Sequence, residues 1–190
     1  MTGPADRLGV RRVRVLVAHA GRMGGTAEIA ERVGRRLEAA GCKVDVRPCV
    51  DVADVVAYDA VVVGSALYAR RWESTALELL QAQLADLGGR PVWLFQSGPS
   101  GLGAEDQVVR APRVVRRLAA RGHLQGPVTF GGRLDPTRAT DWLQRFMTAP
   151  PHAGDWRDWS RIDAWADEIA RELAAARATA GAQPEDQQLR

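Results

Sequence analysis

What the chain has little of narrows the field first. Its two cysteines, Cys42 and Cys49, flank one expected strand with neither metal-type nor redox-type spacing. They read as reduced structural thiols. Three histidines, His19, His123 and His152, lie far apart, so no metal site is expected. Lysine occurs once, at Lys43. The positive charge is otherwise arginine, and with abundant alanine this points to a GC-rich bacterial genome. No apolar run is long enough to span a bilayer, and the N-terminus lacks the apolar core of a signal peptide. A cytoplasmic protein without a transmembrane segment is the expectation. The net charge of +3 is a small excess of 26 basic over 23 acidic residues. Basic pairs such as Arg11-Arg12, Arg35-Arg36, Arg70-Arg71 and Arg116-Arg117 are scattered along the chain, so no nucleic-acid partner is expected.

What is there is an alternation of apolar runs and helical patterns. The 190 residues, 46% hydrophobic and 26% charged, suit one domain with a real core. Its bounds are read as 13–176, after a tail at 1–12 and before a polar tail at 177–190 that is expected to be disordered. Strands are expected at 13–19, 43–48, 60–64, 91–96 and 126–131. Helices are expected at 26–40, 72–87, 105–121 and 160–176, with Thr26 as a favourable N-cap and Pro112 kinking the third helix or resetting its start. Residues 132–158 look irregular, with a short helix around Leu143, Phe146 and Met147. The strand at 43–48 alternates charge with valine and ends in proline, which marks an edge; that at 60–64 is uniformly apolar, which marks a centre. The fold class is therefore α/β: a doubly wound five-stranded parallel sheet, order 2-1-3-4-5, with helices on both faces.

In such a sheet ligands bind beyond the carboxyl ends of the strands, at the switch point between strands 1 and 3. Four polar or glycine-rich loops converge there, at 20–25, 65–71, 97–103 and 131–134. The first, Gly21-Arg22-Met23-Gly24-Gly25-Thr26, opens a helix whose free N–H groups and dipole favour an anion.

The stretches Val-Leu-Val-Ala-His-Ala-Gly-Arg-Met-Gly-Gly-Thr-Ala-Glu-Ile-Ala (15–30), Tyr-Asp-Ala-Val-Val-Val-Gly-Ser-Ala-Leu-Tyr (58–68), Phe-Gly-Gly-Arg-Leu-Asp-Pro (130–136) and Asp-Trp-Arg-Asp-Trp (155–159) resemble the flavodoxin family. The resemblance is strongest to its branch of flavodoxin-domain proteins similar to menaquinone-dependent protoporphyrinogen oxidase. It implies a flavodoxin-like fold and FMN as cofactor. Gly21, Arg22, Met23, Gly24, Gly25 and Thr26 would hold the phosphate. Ser65, Ala66, Leu67 and Tyr68 would line one side of the isoalloxazine ring, and Ser97, Gly98, Pro99 and Ser100 the other. One departure stands out: Ala20 and Gly21 occupy positions where the family usually places hydroxyl side chains. Two lost hydrogen bonds to a charged group are worth about 1.5–3 kcal/mol each.

Single residues carry two readings each. Arg22 is a phosphate ligand or a solvated loop charge, and Tyr68 stacks on a flavin or covers its loop. Arg70 and Arg71 either tune a flavin or simply enter a helix. His19 reads as a space-filling strand-end side chain, and Trp93 as core. Trp159, Ile162, Trp165, Ile169 and Leu173 form one buried helical stripe. Trp142 and Trp156 fall in the irregular segment. No residue is assigned a catalytic role. Three functions follow: an FMN-binding oxidoreductase with a redox partner or a quinone, a small electron-transfer flavodoxin, or a binding protein on the same fold that has lost FMN. Typical flavodoxin carriers are strongly acidic, which this chain is not. Oligomeric state is left open.

Overall fold

The computed structural model describes residues 11–98, 107–135, 137 and 153–181. Expectations for Pro99, Ser100, Trp142, Leu143, Phe146, Met147, His152 and the tails at 1–10 and 182–190 lie outside the described residues. Strands β1 (Arg14–Ala20), β2 (Lys43–Pro48) and β3 (Ala60–Tyr68) alternate with helix α1 (Gly25–Ala39) and a 3-10 turn at Cys49–Asp51. There follow β4 (Arg71–Trp72), α2 (Ser74–Ala82), α3 (Leu84–Leu87), β5 (Val92–Ser97), α4 (Arg113–Gly122), β6 (Gln125–Phe130), β7 (Arg133–Leu134), β8 (Gly154–Asp155) and α5 (Trp159–Gly181).

The parallel sheet runs β2-β1-β3-β5-β6, the order expected from the sequence, with β4 hanging antiparallel from β3. Period-2 alternation sends the two faces of each strand into separate cores. Leu16, Ala18, Val61, Val63 and Leu94 pack with Leu79, Leu80, Val115 and Leu118 of α2 and α4. Val15, Val17, Val62 and Phe95 pack with Ile29, Val33 and Leu37 of α1 and Ile162, Ile169 and Leu173 of α5. The last helix thus buries its anticipated stripe, with Ala166 inside it and Trp159 and Trp165 partly covered. Trp165 also meets Phe95 and Phe130 edge-on, at 5.8 and 5.5 Å between ring centroids. Gly64 lies beside Phe95 in the register, and a Cβ there would sit 1.9 Å from the ring. Only glycine admits that aromatic residue at the centre of the sheet.

Several boundaries differ from expectation for identifiable reasons. Helix α1 starts at Gly25, one residue early, because Gly24 takes the N-cap position in a left-handed conformation (φ 77°). Thr26 is therefore inside the helix and not its cap. The C-terminus closes as a Schellman motif, with Cys42 N–H on the Leu37 carbonyl, Gly41 N–H on that of Glu38, and Gly41 at φ 92°. The single helix expected at 72–87 is three elements. Arg71 and Trp72 pair with β3 as a hairpin, α2 begins at Ser74, and a break at Gln83 separates α3. The third helix starts only at Arg113, directly after Pro112. Proline disfavours helical angles in the residue before it, so it resets the start. Residues 177–181, assigned to a tail, continue α5. Within the irregular stretch, β7 and β8 pair antiparallel.

Candidate functional site

The carboxyl ends of β1, β3 and β5 open onto a cavity of about 720 Å³, within the range of small-molecule sites. Its polar end is the start of α1. Gly24 turns the chain, and no side chain caps the helix, so its first N–H groups keep their capacity for an anion. Gly21 lies against Thr26; a Cβ on it would come 2.7 Å from Thr26 Oγ1. That hydroxyl is buried and sits 2.8 Å from Ser97 Oγ at the end of β5. One of the two donates to the other, which leaves one O–H free to donate again. Both residues line the cavity.

The other end is more apolar. Ala66, Leu67 and Tyr68 of β3 form one side, Gly98 lies close against Leu67, and Val108 and Val109 close the far wall. That wall is held by Gln96, which is fully buried. Its Nε2 donates to the Val109 carbonyl (2.6 Å) and to Thr129 Oγ1 (3.0 Å), while its Oε1 accepts Trp72 Nε1–H (3.0 Å). One side chain thus ties β4, β6 and the segment before α4 to β5. Ala69 and Arg70, both lining the rim, turn the β3–β4 hairpin at φ 46° and 60°. Two consecutive positive φ values make a type I′ turn, normally given to Asn and Gly.

Of the residues proposed from the sequence, Met23, Gly25, Thr26, Ala66, Leu67, Tyr68, Ser97 and Gly98 come together around the cavity. Gly21, Arg22, Gly24 and Ser65 stand behind that lining. Ser65 is buried, donates to the Ala66 carbonyl (3.0 Å) and accepts the Glu73 N–H (3.0 Å). Arg22 turns to Glu73 (3.0 Å) and lies over the Tyr68 ring at 5.5 Å. Its N–H donates to the Tyr68 hydroxyl at 3.4 Å. Burial, and secondarily the Glu73 carboxylate, raise the Tyr68 pKa, so the hydroxyl stays protonated. His19 is half-buried and packs beyond the lining; burial lowers its pKa, partly offset by Glu31. Ala20 is buried in the core.

Gln96, Val108 and Arg110 were not singled out from the sequence, whereas Gly132, Arg133 and Leu134 belong to the loop at 131–134 expected at the rim. A glutamine inside an apolar strand was the one available signal; the others depend on tertiary placement. Arg133 lines the cavity and belongs to a cluster that fastens β7 and β8 to α1. Arg133 Nη1 donates to Glu28 (2.7 Å) and its Nη2 to Asp135 (2.6 Å). Arg157 donates to Glu28 (2.9 Å) and to Asp155 (2.7 Å). Burial disfavours the Glu28 carboxylate, but the two arginines outweigh it and hold its pKa below the usual range. Gly131 permits this closure, since a Cβ there would collide with the Trp156 carbonyl at 1.8 Å. Among the described residues, no group of three or more His, Cys, Asp or Glu could hold a metal, and no helix is long and apolar enough to cross a membrane.

This geometry fits a phosphorylated planar cofactor. It offers uncapped N–H groups and a spare hydroxyl at one end, and a largely apolar space beside the ends of β3 and β5 at the other. A family model described as a flavodoxin domain matches residues 16–150. No curated protein sequence matches the chain. Similar solved structures include an archaeal flavodoxin (TM-score 0.60, 15% identity, 85% of this chain and 99% of that one). A flavodoxin of Streptococcus pneumonia TIGR4 aligns with TM-score 0.56 and 18% identity, over 84% of this chain and 99% of that one. Rubredoxin oxygen:oxidoreductase of Desulfovibrio gigas aligns with TM-score 0.58 and 15% identity over 85% of this chain. The present chain spans 36% of that protein. At these identities the structural likenesses speak to the fold alone.

Proposed function

The chain belongs to the flavodoxin-domain family, and on that premise we propose that it is a cytoplasmic bacterial FMN-binding oxidoreductase that exchanges electrons with a redox partner or a quinone. The observation that carries the reading is the joining of the uncapped α1 N-terminus and the Thr26–Ser97 hydroxyl pair to the wall of Ala66, Leu67, Tyr68 and Gly98 in one cavity. Backbone N–H groups around Met23, Gly25 and Thr26, with the free hydroxyl of the pair, would hold the phosphate. Leu67, Tyr68 and Gly98 would face the ring. FMN, when bound, supplies one- and two-electron chemistry. The protein orients it, keeps water from one face and sets the local field. Arg70 contributes to that field a positive charge, which favours an anionic reduced cofactor. The quinone link rests on the sequence resemblance to the branch similar to menaquinone-dependent protoporphyrinogen oxidase.

A second reading, a binding protein on this fold without flavin, is favoured by one set of facts. Ala20 brings no hydroxyl, Arg22 is engaged by Glu73, and the Tyr68 hydroxyl occupies the Arg22 N–H. Titration of the purified chain with FMN, followed by flavin fluorescence and visible absorption, separates the two. The first reading expects a yellow complex weakened by replacing Thr26 and Ser97 with valine and alanine. A chain that stays colourless with excess FMN rejects it. Reduction by nicotinamides and reoxidation by quinones then distinguish an enzyme from a carrier.

A further inference from the structure

Residues 107–134 contain six arginines and not one aspartate or glutamate. Those six exceed the net charge of the whole chain, so the remainder is net negative. Most arginines elsewhere with a described role are matched to carboxylates: Arg32 to Asp163, Arg36 to Asp167, Arg22 to Glu73, Arg157 to Asp155. On α4 the pattern reverses. Arg113, Arg116, Arg117 and Arg121 are exposed and, among the described residues, none of them has an ion-pair partner.

Helical spacing puts these four on one side, since positions three, four and eight apart share a face. The opposite side, Val115, Leu118, Ala119 and Gly122, is buried against the sheet and α3. Arg110, just before the helix and equally exposed, lines the cavity. Gln96 fixes its position by holding the neighbouring Val109 carbonyl. The result is a cationic ridge that begins at the cavity mouth and descends about 15 Å along α4. Like charges three and four apart destabilise the helix that carries them, and Arg113 stands at the end of the dipole that disfavours a cation. Local stability does not account for the ridge.

We propose that this ridge is a docking surface for a folded protein with a carboxylate-rich face, which it seats over the mouth of the cavity. Arginine suits such a partner, because its planar fork pairs bidentately with carboxylates. A bilayer surface fits less well. An interfacial helix inserts bulky apolar side chains, whereas the apolar side of α4 is spent in the core and, among the described residues of α4 and the segment before it, Val114 and Val108 are the exposed large hydrophobics. The surface does not depend on what the cavity binds.

The test uses the full chain and a plant-type ferredoxin as acidic probe, by biolayer interferometry at low and at 0.3 M salt. Duplex DNA and vesicles of phosphatidylglycerol and phosphatidylcholine are run in parallel. The comparison is with the triple variant Arg116→Glu, Arg117→Glu, Arg121→Glu, none of which lines the cavity. Ferredoxin binding is expected, weakened about tenfold or more by the variant and by salt. The melting temperature of the variant should not fall, since the pairs of Arg113 with positions 116 and 117 turn from repulsive to attractive while that between 117 and 121 stays a like-charge pair. The proposal is overturned if ferredoxin does not bind, if binding ignores the charge reversal, or if DNA or vesicles bind more tightly. FMN titration of both proteins keeps the two readings apart. A colourless chain that binds ferredoxin through the ridge rejects the flavin and retains the surface, and an FMN complex indifferent to ferredoxin does the converse.

Discussion

Replacing Arg157 with methionine should cost about 2–3 kcal/mol of folding stability. The guanidinium is almost wholly buried, with its side chain 3% exposed. It donates to Glu28, to Asp155 and to the Gly25 carbonyl, and stacks 4.4 Å from the Trp159 ring centroid. Removing one partner of a buried ion pair costs about 3–5 kcal/mol when the other is left stranded. Here the stranding is incomplete. Glu28 keeps Arg133 at 2.7 Å, and the Asp155 side chain is 42% exposed and can rehydrate. Methionine also fills most of the volume, so the lower figure applies. For a chain of this size the loss corresponds to a fall in Tm of about 4–12 °C, measurable by circular dichroism. The pH dependence supplies the check. Glu28 and Asp155 have folded pKa values below their ordinary 4.5 and 3.8, Asp155 chiefly through its bond from Arg157. Their unfolded forms protonate first as pH falls, so the advantage of the parent over the variant is full at pH 7. It should shrink below about pH 4.5 as the folded carboxylates protonate, down to the part carried by the Gly25 carbonyl and the Trp159 ring. A Tm difference under about 2 °C at pH 7, or one that persists undiminished at pH 3, would refute the reasoning.

Three further outcomes follow from single sites. Gly64→Ala forces a methyl into the Phe95 ring and should destabilise by about 3 kcal/mol, with Phe95→Leu restoring part of the loss; urea midpoints of the single and double variants decide it. Ala69→Gly relieves a left-handed alanine at φ 46°, so the stability read from the urea midpoint should rise by about 0.5–1 kcal/mol after the entropy cost of glycine, and a fall would show that the turn is not strained. His19 has a pKa lowered mainly by burial, so the unfolded state takes up its proton first; stability should decline as pH drops from about 6.5 towards the folded value, and His19→Gln should flatten that part of the profile.

The sheet was legible because each strand carries its own address. The valine run at 61–63 could only be central, and the alternating Val44 and Val46 with charges between them could only be an edge. Helix boundaries were less so. Trp72 heads an apolar series at helical spacing, and nothing local reveals that its indole N–H is claimed by Gln96, 24 residues on. That bond draws Arg71 and Trp72 into a hairpin and creates the strained turn at the cavity rim. The cluster of Glu28, Arg133, Asp155 and Arg157 was hidden for a similar reason. Its members come from the first helix and from a late hairpin, 105 and 129 residues apart along the chain for the two Glu28 pairs. A charge pattern announces an ion pair only within one helix or strand.

The phosphate end of the cavity shows most clearly how a local reading goes astray. From the sequence, Ala20 and Gly21 look like two missing hydroxyls, and Arg22 like their replacement. In the fold Ala20 points into the core, where a hydroxyl would have to find a buried partner. Gly21 is held to a hydrogen because Thr26 lies behind it. Arg22 is spent on Glu73 and Tyr68. The spare donor at the cavity belongs to a pair 71 positions apart: Thr26 and Ser97 share one hydrogen bond and between them keep one O–H unspent. If Thr26 donates to Ser97 and the Ser97 O–H contacts the ligand, Ser97→Ala should weaken FMN binding even though it leaves the whole loop at 21–26 untouched. A charged hydrogen bond worth about 1.5–3 kcal/mol corresponds to roughly a 10- to 150-fold rise in Kd. Arg22→Ala, by contrast, should change the Kd little. The reverse ranking of the two variants in a fluorescence titration would return the phosphate to the arginine and overturn this account of the site.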